Sequence, residues 1–264
     1  MWLYDDSIID IDMEPQFKRA QKMKKKLLIA SLTILILSGP ASIAQEKQHS
    51  AVSPDHRHSW WTLRNDAVNE RVKQGDVDFL FIGDSITHGW EGGGKKLWDK
   101  YYAPRKAVNM GFGGDRTQHV LWRLDHGHLE GISPKLAVLM IGTNNSNRED
   151  NTAEEIGDGI IAICKRIRAK CPKTKILILA IFPRGFEQSA QREKNARASL
   201  LASKIADGKM IHYLDINDKF LTKEGFLSKK IMPDYLHPNE TGYKIWAEAI
   251  EPKVAELMGD KAIK

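Results

Sequence analysis

Val77-Asp78-Phe79-Leu80-Phe81-Ile82-Gly83-Asp84-Ser85-Ile86-Thr87 is an apolar run that stops on glycine and passes into a polar turn carrying a serine. A short apolar run bounded by turn residues reads as a strand buried on both faces. Four more such runs follow, at 107–110, 136–141, 176–182 and 210–216. Helical patterns separate them, at about 117–125, 152–170 and 189–206. An earlier one begins at Trp60 and runs through Trp61, Leu63, Ala67, Val68 and Val72 to end near Gly75. A last one carries Tyr243, Trp246, Ile250, Val254 and Leu257, spaced three or four apart. Strands that are apolar throughout, alternating with helices, predict a three-layer α/β/α domain around a flavodoxin-like, doubly wound, five-stranded parallel sheet. That domain is expected over 60–260, with no internal repeat and no second boundary.

The first 44 residues read differently. Met23 opens Met-Lys-Lys-Lys, an apolar stretch follows at 27–37, and Ser42-Ile43-Ala44 places small residues before Gln45. This is the pattern of a secretory signal peptide cleaved after Ala44. Its apolar stretch is shorter than the about 20 residues that cross a bilayer. Residues 1–22 carry Asp5, Asp6, Asp10 and Asp12, which fit no basic leader, so Met23 is the expected start. The mature protein is expected to be secreted or periplasmic, without a membrane span. Residues 45–59 are polar, include three histidines and Pro54, and read as a flexible lead-in.

The remaining composition narrows the function classes. Charged residues make up 28% and hydrophobic ones 42% of the 264, which fits a soluble domain with a sizeable core. Removing residues 1–44 takes away six basic and five acidic groups and leaves a net charge near +5. Lys and Arg are interspersed with Asp and Glu, and no nucleic-acid-binding motif accompanies them, so no nucleic-acid partner is expected. Cys164 and Cys171 sit seven apart in a helical pattern, about 10 Å along the axis, too far for a disulfide. His126 and His128 read as solvated, and no metal or cofactor is expected. Gly92-Gly93-Gly94-Lys95 lacks the spacing of a phosphate loop, and Gly111-Phe112-Gly113-Gly114 lacks that of a dinucleotide site. A homodimer is left open.

The polar segments fall where such sheets carry their sites, beyond the carboxyl ends of the strands. Ser85 follows the first strand, Gly113-Gly114-Asp115 the second and Gly142-Thr143-Asn144-Asn145 the third, while Asp234-Tyr235-Leu236-His237 precedes the last helix. A serine becomes a nucleophile at neutral pH only beside a base, and the base needs an orienting group. Ser85, His237 and Asp234 supply that set in a chain order compatible with a sheet-based hydrolase, although the G-x-S-x-G elbow is absent. The N–H groups of Ser85 and Gly114 and the side-chain amide of Asn144 are the expected oxyanion donors. Trp90 and Arg184 are the substrate-contact candidates, with Trp90 and Trp98 equally readable as core.

Together these blocks resemble the SGNH hydrolase superfamily, the GDSL esterases, in which a Ser, a Gly, an Asn and a His recur. Ser85, Gly114, Asn144 and His237 match them, with Asp234 completing the triad. The stretch from Gly111 through Leu124, with Pro183-Arg184-Gly185 and Asp234-Tyr235-Leu236-His237, is similar to the catalytic alpha subunits of intracellular platelet-activating factor acetylhydrolase. The resemblance spans about 61–256, and it implies an ester hydrolase without metal or cofactor. Isoleucine follows Ser85 where the family name has leucine. Joined to the export signal, the resemblance implies an exported serine esterase for short acyl groups, acetyl above all, on carbohydrates or small esters. Two other readings stand beside it: a lysophospholipase- or thioesterase-type acylhydrolase, and a non-catalytic carbohydrate-binding module. Loops between elements read as short, without an inserted lid.

Overall fold

In the computed structural model, which describes residues 48–264, five strands pair side by side and all run parallel. They are β1 (Phe79–Gly83), β2 (Ala107–Gly111), β3 (Leu136–Met140), β4 (Lys175–Leu179) and β5 (Ile211–Leu214). Their order in the sheet is β2-β1-β3-β4-β5, the doubly wound arrangement expected from the apolar runs. The chain leaves β1 for β2 on one side and returns to β3 on the other. The switch point of the sheet therefore lies at the carboxyl end of β1, where Ser85 begins its turn. The expected signal peptide and its cleavage after Ala44 lie outside the described residues.

Seven α-helices among the described residues cover the sheet. They are α1 (Trp60–Lys73), α2 (Ser85–His88), α3 (Lys95–Tyr101), α4 (Thr117–Asp125), α5 (Ala153–Lys170), α6 (Ala190–Ser203) and α7 (Glu240–Met258). Alternate strand residues point to opposite faces, and this period of two divides the core. Leu80 and Ile82 of β1 join Ala137 and Leu139 of β3 against α1, α4, α5 and α6. Phe79 and Phe81 join Leu136, Val138 and Met140 against α3 and α7. The helix starts follow their caps: Thr152 with Glu155 forms a reciprocal capping box on α5, and Ser189 and Asn239 cap α6 and α7.

Four sequence expectations need correction. The lead-in is docked rather than loose over the residues described: Ala51 is fully buried, its carbonyl accepts from the Thr117 hydroxyl, and Arg57 reaches Gly113 and Asp115. Leu63 of α1 faces solvent, because the buried stripe is carried by Trp61, Asn65, Val68 and Val72. His128 is buried, not solvated, and its Nδ1 lies 3.1 Å from the Arg123 guanidinium. The connection from β5 to α7 is long, over 215–239, and holds a 3-10 turn at Asn217–Phe220 and a bridge between Leu221 and Leu227. Cys164 and Cys171 are both free and buried, as the spacing implied.

One ion pair ties the segment ahead of β2 to the last helix. Arg105 donates through Nη1 and Nη2 to the two carboxylate oxygens of Glu251, at 2.7 Å each, and through Nε to Asp260 at 2.8 Å. Both side chains of the Arg105–Glu251 pair are about 5% exposed. Burial works against the guanidinium charge, and the hydrogen bonds to Glu251 and Asp260 outweigh it, holding Arg105 above its ordinary value. Removing one partner strands the other charge, which costs about 3–5 kcal/mol. Glu251→Ala should therefore lower the unfolding free energy by that amount in urea titration. A loss below about 1 kcal/mol would mean that Asp260 alone satisfies the guanidinium.

Candidate active site

β1 ends at Gly83 and the chain turns at once into the single helical turn of α2. Asp84 starts that turn: its Oδ1 accepts the Ile86 N–H at 3.0 Å. Ser85 is thereby the first helical residue, with its side chain at the sheet's carboxyl edge. The turn sits hard against β2, where a Cβ on Gly111 would approach the His88 nitrogen to 2.2 Å, so no larger residue fits there. From the other layer, the Tyr243 hydroxyl of α7 donates to the Ile86 carbonyl at 2.7 Å. Strand, cap and helix together fix where Ser85 points.

The second half of the site comes from the loop ahead of α7. Asp234 Oδ1 accepts the N–H groups of Leu236 and His237, at 3.0 and 2.8 Å, which closes a tight local turn. Tyr235 sits inside it at φ +58°, an uncommon conformation for a bulky residue. Its N–H donates to Met232 and its carbonyl accepts from Gly185, both at 2.9 Å. The turn leaves Asp234 Oδ2 2.6 Å from His237 Nδ1, and His237 Nε2 lies 2.9 Å from Ser85 Oγ. Burial raises the Asp234 carboxyl, but the hydrogen bonds from His237 and the backbone outweigh it and hold it below its usual value. An ionised carboxylate only accepts, so Nδ1 carries the imidazole proton and Nε2 is left to accept from Ser85.

Three donors follow β1, β2 and β3, which are neighbours in the sheet. The N–H groups of Ser85 and Gly114 have no acceptor among the described residues. Gly114 adopts φ +73°, so the turn after β2 needs glycine at this position. Asn144 donates one amide hydrogen to the Asp115 carbonyl at 2.9 Å, which orients the amide and leaves its second hydrogen free. Such a set can polarise a carbonyl and stabilise charge that develops on its oxygen.

The Gly113-Gly114 turn rests on a buried polar cluster that the sequence reading missed. Asp115 has no exposed surface and accepts from Trp61 Nε1 at 2.7 Å, Arg123 Nε at 2.9 Å and Arg57 Nη1 at 3.0 Å. Arg57 also donates to the Gly113 carbonyl at 2.8 Å. Burial raises the Asp115 carboxyl and lowers the Arg123 guanidinium, and each charge opposes the shift of the other. A signal existed: an arginine within the apolar stretch Val120-Leu121-Trp122-Arg123-Leu124 is a charge on a helix that must bury most of its surface.

The substrate-contact candidates fare differently. Trp90 is fully buried against Phe81, Tyr102, Tyr243 and Trp246, so it packs the core beneath the site and offers no surface to a substrate. Arg184 is half-buried, and its Nη1 donates to the Thr143 carbonyl, the Thr143 hydroxyl and Asn147 Oδ1 at 3.1–3.2 Å. It braces the loop that carries Asn144. No cluster of three potential metal ligands occurs among the described residues. No helix among them is long and apolar enough to cross a membrane.

Residues 81–245 match the family model of the GDSL-like lipase/acylhydrolases. Platelet-activating factor acetylhydrolase IB subunit alpha2 of Homo sapiens is 35% identical over 223 residues, covering 84% of this chain and 93% of that protein. Subunit alpha1 of Bos taurus is 36% identical over 203 residues, covering 75% and 84%. Among solved structures, an acetylxylan esterase from Geobacillus stearothermophilus superposes with a TM-score of 0.55 at 19% identity, covering 72% of this chain and 97% of that one. A GDSL-like lipase from Bacteroides thetaiotaomicron gives 0.55 at 20% identity, covering 74% and 96%. At such identities the structural matches establish the fold.

Asp84 yields a test of the site's electrostatics. Its Oδ2 is buried without a hydrogen-bond partner among the described residues. Burial, with the Asp115 charge adding to it, pushes this carboxyl up to about 7, against the Ile86 hydrogen bond and the Arg184 charge. Unfolded, the same group ionises near pH 4. Between those values the folded state holds the extra proton, so this contribution to stability falls as pH rises. Asp84→Asn removes the titration and can keep the cap. Compared by urea unfolding at about pH 4 and about pH 8, the variant should gain on the wild type at the higher pH. An identical difference at both would mean that Asp84 is already ionised in the folded protein.

Proposed function

Since the chain belongs to the GDSL-like lipase/acylhydrolase family, we propose that it is an exported serine esterase that removes short acyl groups, acetyl above all, from carbohydrates or small esters. Its class as an ester hydrolase follows from the family; the catalytic assignments, the short acyl chain and the export are the proposal. The observation that carries the assignments is the unbroken chain from Ser85 Oγ to His237 Nε2 and from His237 Nδ1 to Asp234, at 2.9 and 2.6 Å. Export rests on the leader-like stretch at 23–44.

In this mechanism Ser85 Oγ attacks the ester carbonyl carbon while its proton passes to His237 Nε2. Asp234 keeps the Nδ1 proton and stabilises the imidazolium. The Ser85 and Gly114 N–H groups and the free Asn144 amide hydrogen receive the oxyanion. The C–O bond then breaks, and the departing alkoxide takes the proton from Nε2, leaving an acyl-serine. Water repeats the sequence, with Nε2 again as base, and releases the acid and free Ser85.

Ser85→Ala should fold normally, show ester hydrolysis near background and lose labelling by a fluorophosphonate probe. Labelling of another serine with retained activity would move the nucleophile elsewhere. Asn144→Ala should lower kcat by about 10²–10³ with little change in KM, the loss typical of one oxyanion donor. A raised KM at unchanged kcat would instead make Asn144 a ground-state substrate contact.

A further inference from the structure

Among the described residues five large apolar side chains stand well exposed: Trp60, Leu63, Phe186, Leu200 and Phe226. Two of them, distant in sequence, meet. The rings of Phe186 and Phe226 stack 4.8 Å apart at an interplanar angle of 8°, with 49% and 36% of each residue exposed. Tyr235, the residue between Asp234 and Leu236, closes the group with its ring 5.8 Å from Phe186. The patch is therefore continuous with the loop that carries Asp234 and His237.

Its support is built rather than incidental. The buried guanidinium of Arg192 donates to three carbonyls: Arg184 at 3.2 Å, Gly185 at 2.7 Å and Gly225 at 2.8 Å. Gly185 and Gly225 directly precede the two phenylalanines, so one side chain clamps both segments. Arg192 makes no ion pair among the described residues, and burial lowers it from its ordinary value. The three carbonyl acceptors offset part of the cost of burying this charge, and each bond fixes a stretch of backbone. The backbone adds two pins: Leu227 N–H to the Phe186 carbonyl at 2.8 Å, and Gly185 N–H to the Tyr235 carbonyl at 2.9 Å.

We propose that Phe186, Phe226 and Tyr235 form a fixed aromatic platform that stacks against a pyranose ring of an O-acylated glycan and seats the alcohol side of the ester beside Ser85. This rests on the ester-hydrolase reading above. A pyranose presents a flat C–H face about the size of one aromatic ring, with hydroxyls at its rim. Parallel and 4.8 Å apart, the two phenylalanine rings lie face to face with Tyr235 set edgewise against Phe186, so the surface open to such a ligand is one outer face of the stack, about one ring in area. Its surroundings are polar, with Glu187 and Gln188 exposed beside Phe186 and Lys229 Nζ 5.3 Å from the Tyr235 ring. A long acyl tail gains about 0.8 kcal/mol per methylene only when each is buried, and two half-exposed rings cannot enclose one. Pre-set rings also lose little freedom on binding, which favours a rigid ligand face.

The test uses two backgrounds. In Ser85→Ala, which cannot turn over, binding of an acetylated xylo-oligosaccharide is measured by calorimetry with and without Phe186→Ala and Phe226→Ala together. In the active enzyme, kcat/KM for the same oligosaccharide is compared with that for ethyl acetate, whose alcohol has no ring to stack. The double variant should weaken binding at least about tenfold and lower the kcat/KM ratio by a similar factor, chiefly through KM, while Phe186→Trp keeps both. Unaltered binding and an unaltered ratio would overturn the platform while leaving the ester-hydrolase reading intact. A loss confined to p-nitrophenyl octanoate would overturn it in favour of an acyl-chain surface. An enzyme without activity on any ester whose glycan binding still collapses in the double variant would keep the platform and sink the esterase reading.

Discussion

The carboxylate of Asp115, sealed from solvent between the guanidinium groups of Arg57 and Arg123, is the constraint on which the site's geometry hangs. A buried carboxylate must find donors, and here they come from the segment ahead of α1, from Trp61 on α1 and from α4. Meeting that need pins the turn after β2 in place. Arg123 carries the restraint onward to His128 at 3.1 Å and lies over the Phe112 ring at 4.1 Å. Breaking such a cluster on one side leaves an uncompensated charge, which costs more than the intact cluster contributes. Asp115 therefore specifies one position for Gly113 and Gly114, and its own carbonyl receives the Asn144 amide.

The sheet supplies the other half of the argument. Parallel strands deliver all their following loops to one edge, and the reversal of direction between β1 and β3 opens a gap there. Ser85, Gly114 and Asn144 follow β1, β2 and β3, the three adjacent strands around that gap. Their convergence needs no special loop chemistry beyond glycine where the backbone crowds. Asp234 and His237 lie on the long 215–239 connection instead, and a local turn centred on the Asp234 carboxylate presents them. The site thus has a buried arm held by long-range contacts and an exposed arm held within a few residues.

This division explains what the sequence made legible. Continuous apolar runs exposed the five strands, and apolar residues three or four apart marked the last helix. The Ser85, Gly114 and Asn144 blocks stood out because each follows an apolar run, and Asp234 and His237 because they stand three apart just ahead of the last helix. What stayed hidden was long-range: the lead-in docks because Arg57 has a partner 58 residues away, which no local window shows. Trp90 and His128 misled for the opposite reason. A tryptophan near a serine and a histidine in a polar stretch look exposed, and only the packing of α3, α4 and α7 buries them.

The two arms also differ in what a change of substrate would demand of them. In the proposed reaction the buried arm serves the ester carbonyl, whose chemistry is common to every ester, and its backbone is held by Asp115, Arg123 and the strand ends. Little there can vary without stranding a charge. The exposed arm is bordered by Phe186, Phe226 and Tyr235, side chains that meet solvent and carry no buried polar group of their own. Substitution at the two phenylalanines leaves the Arg192 clamp intact, because Arg192 holds backbone carbonyls and not the rings. In the proposed reaction the fold thereby sets an open aromatic surface on the alcohol side and a turn held by buried charges on the carbonyl side.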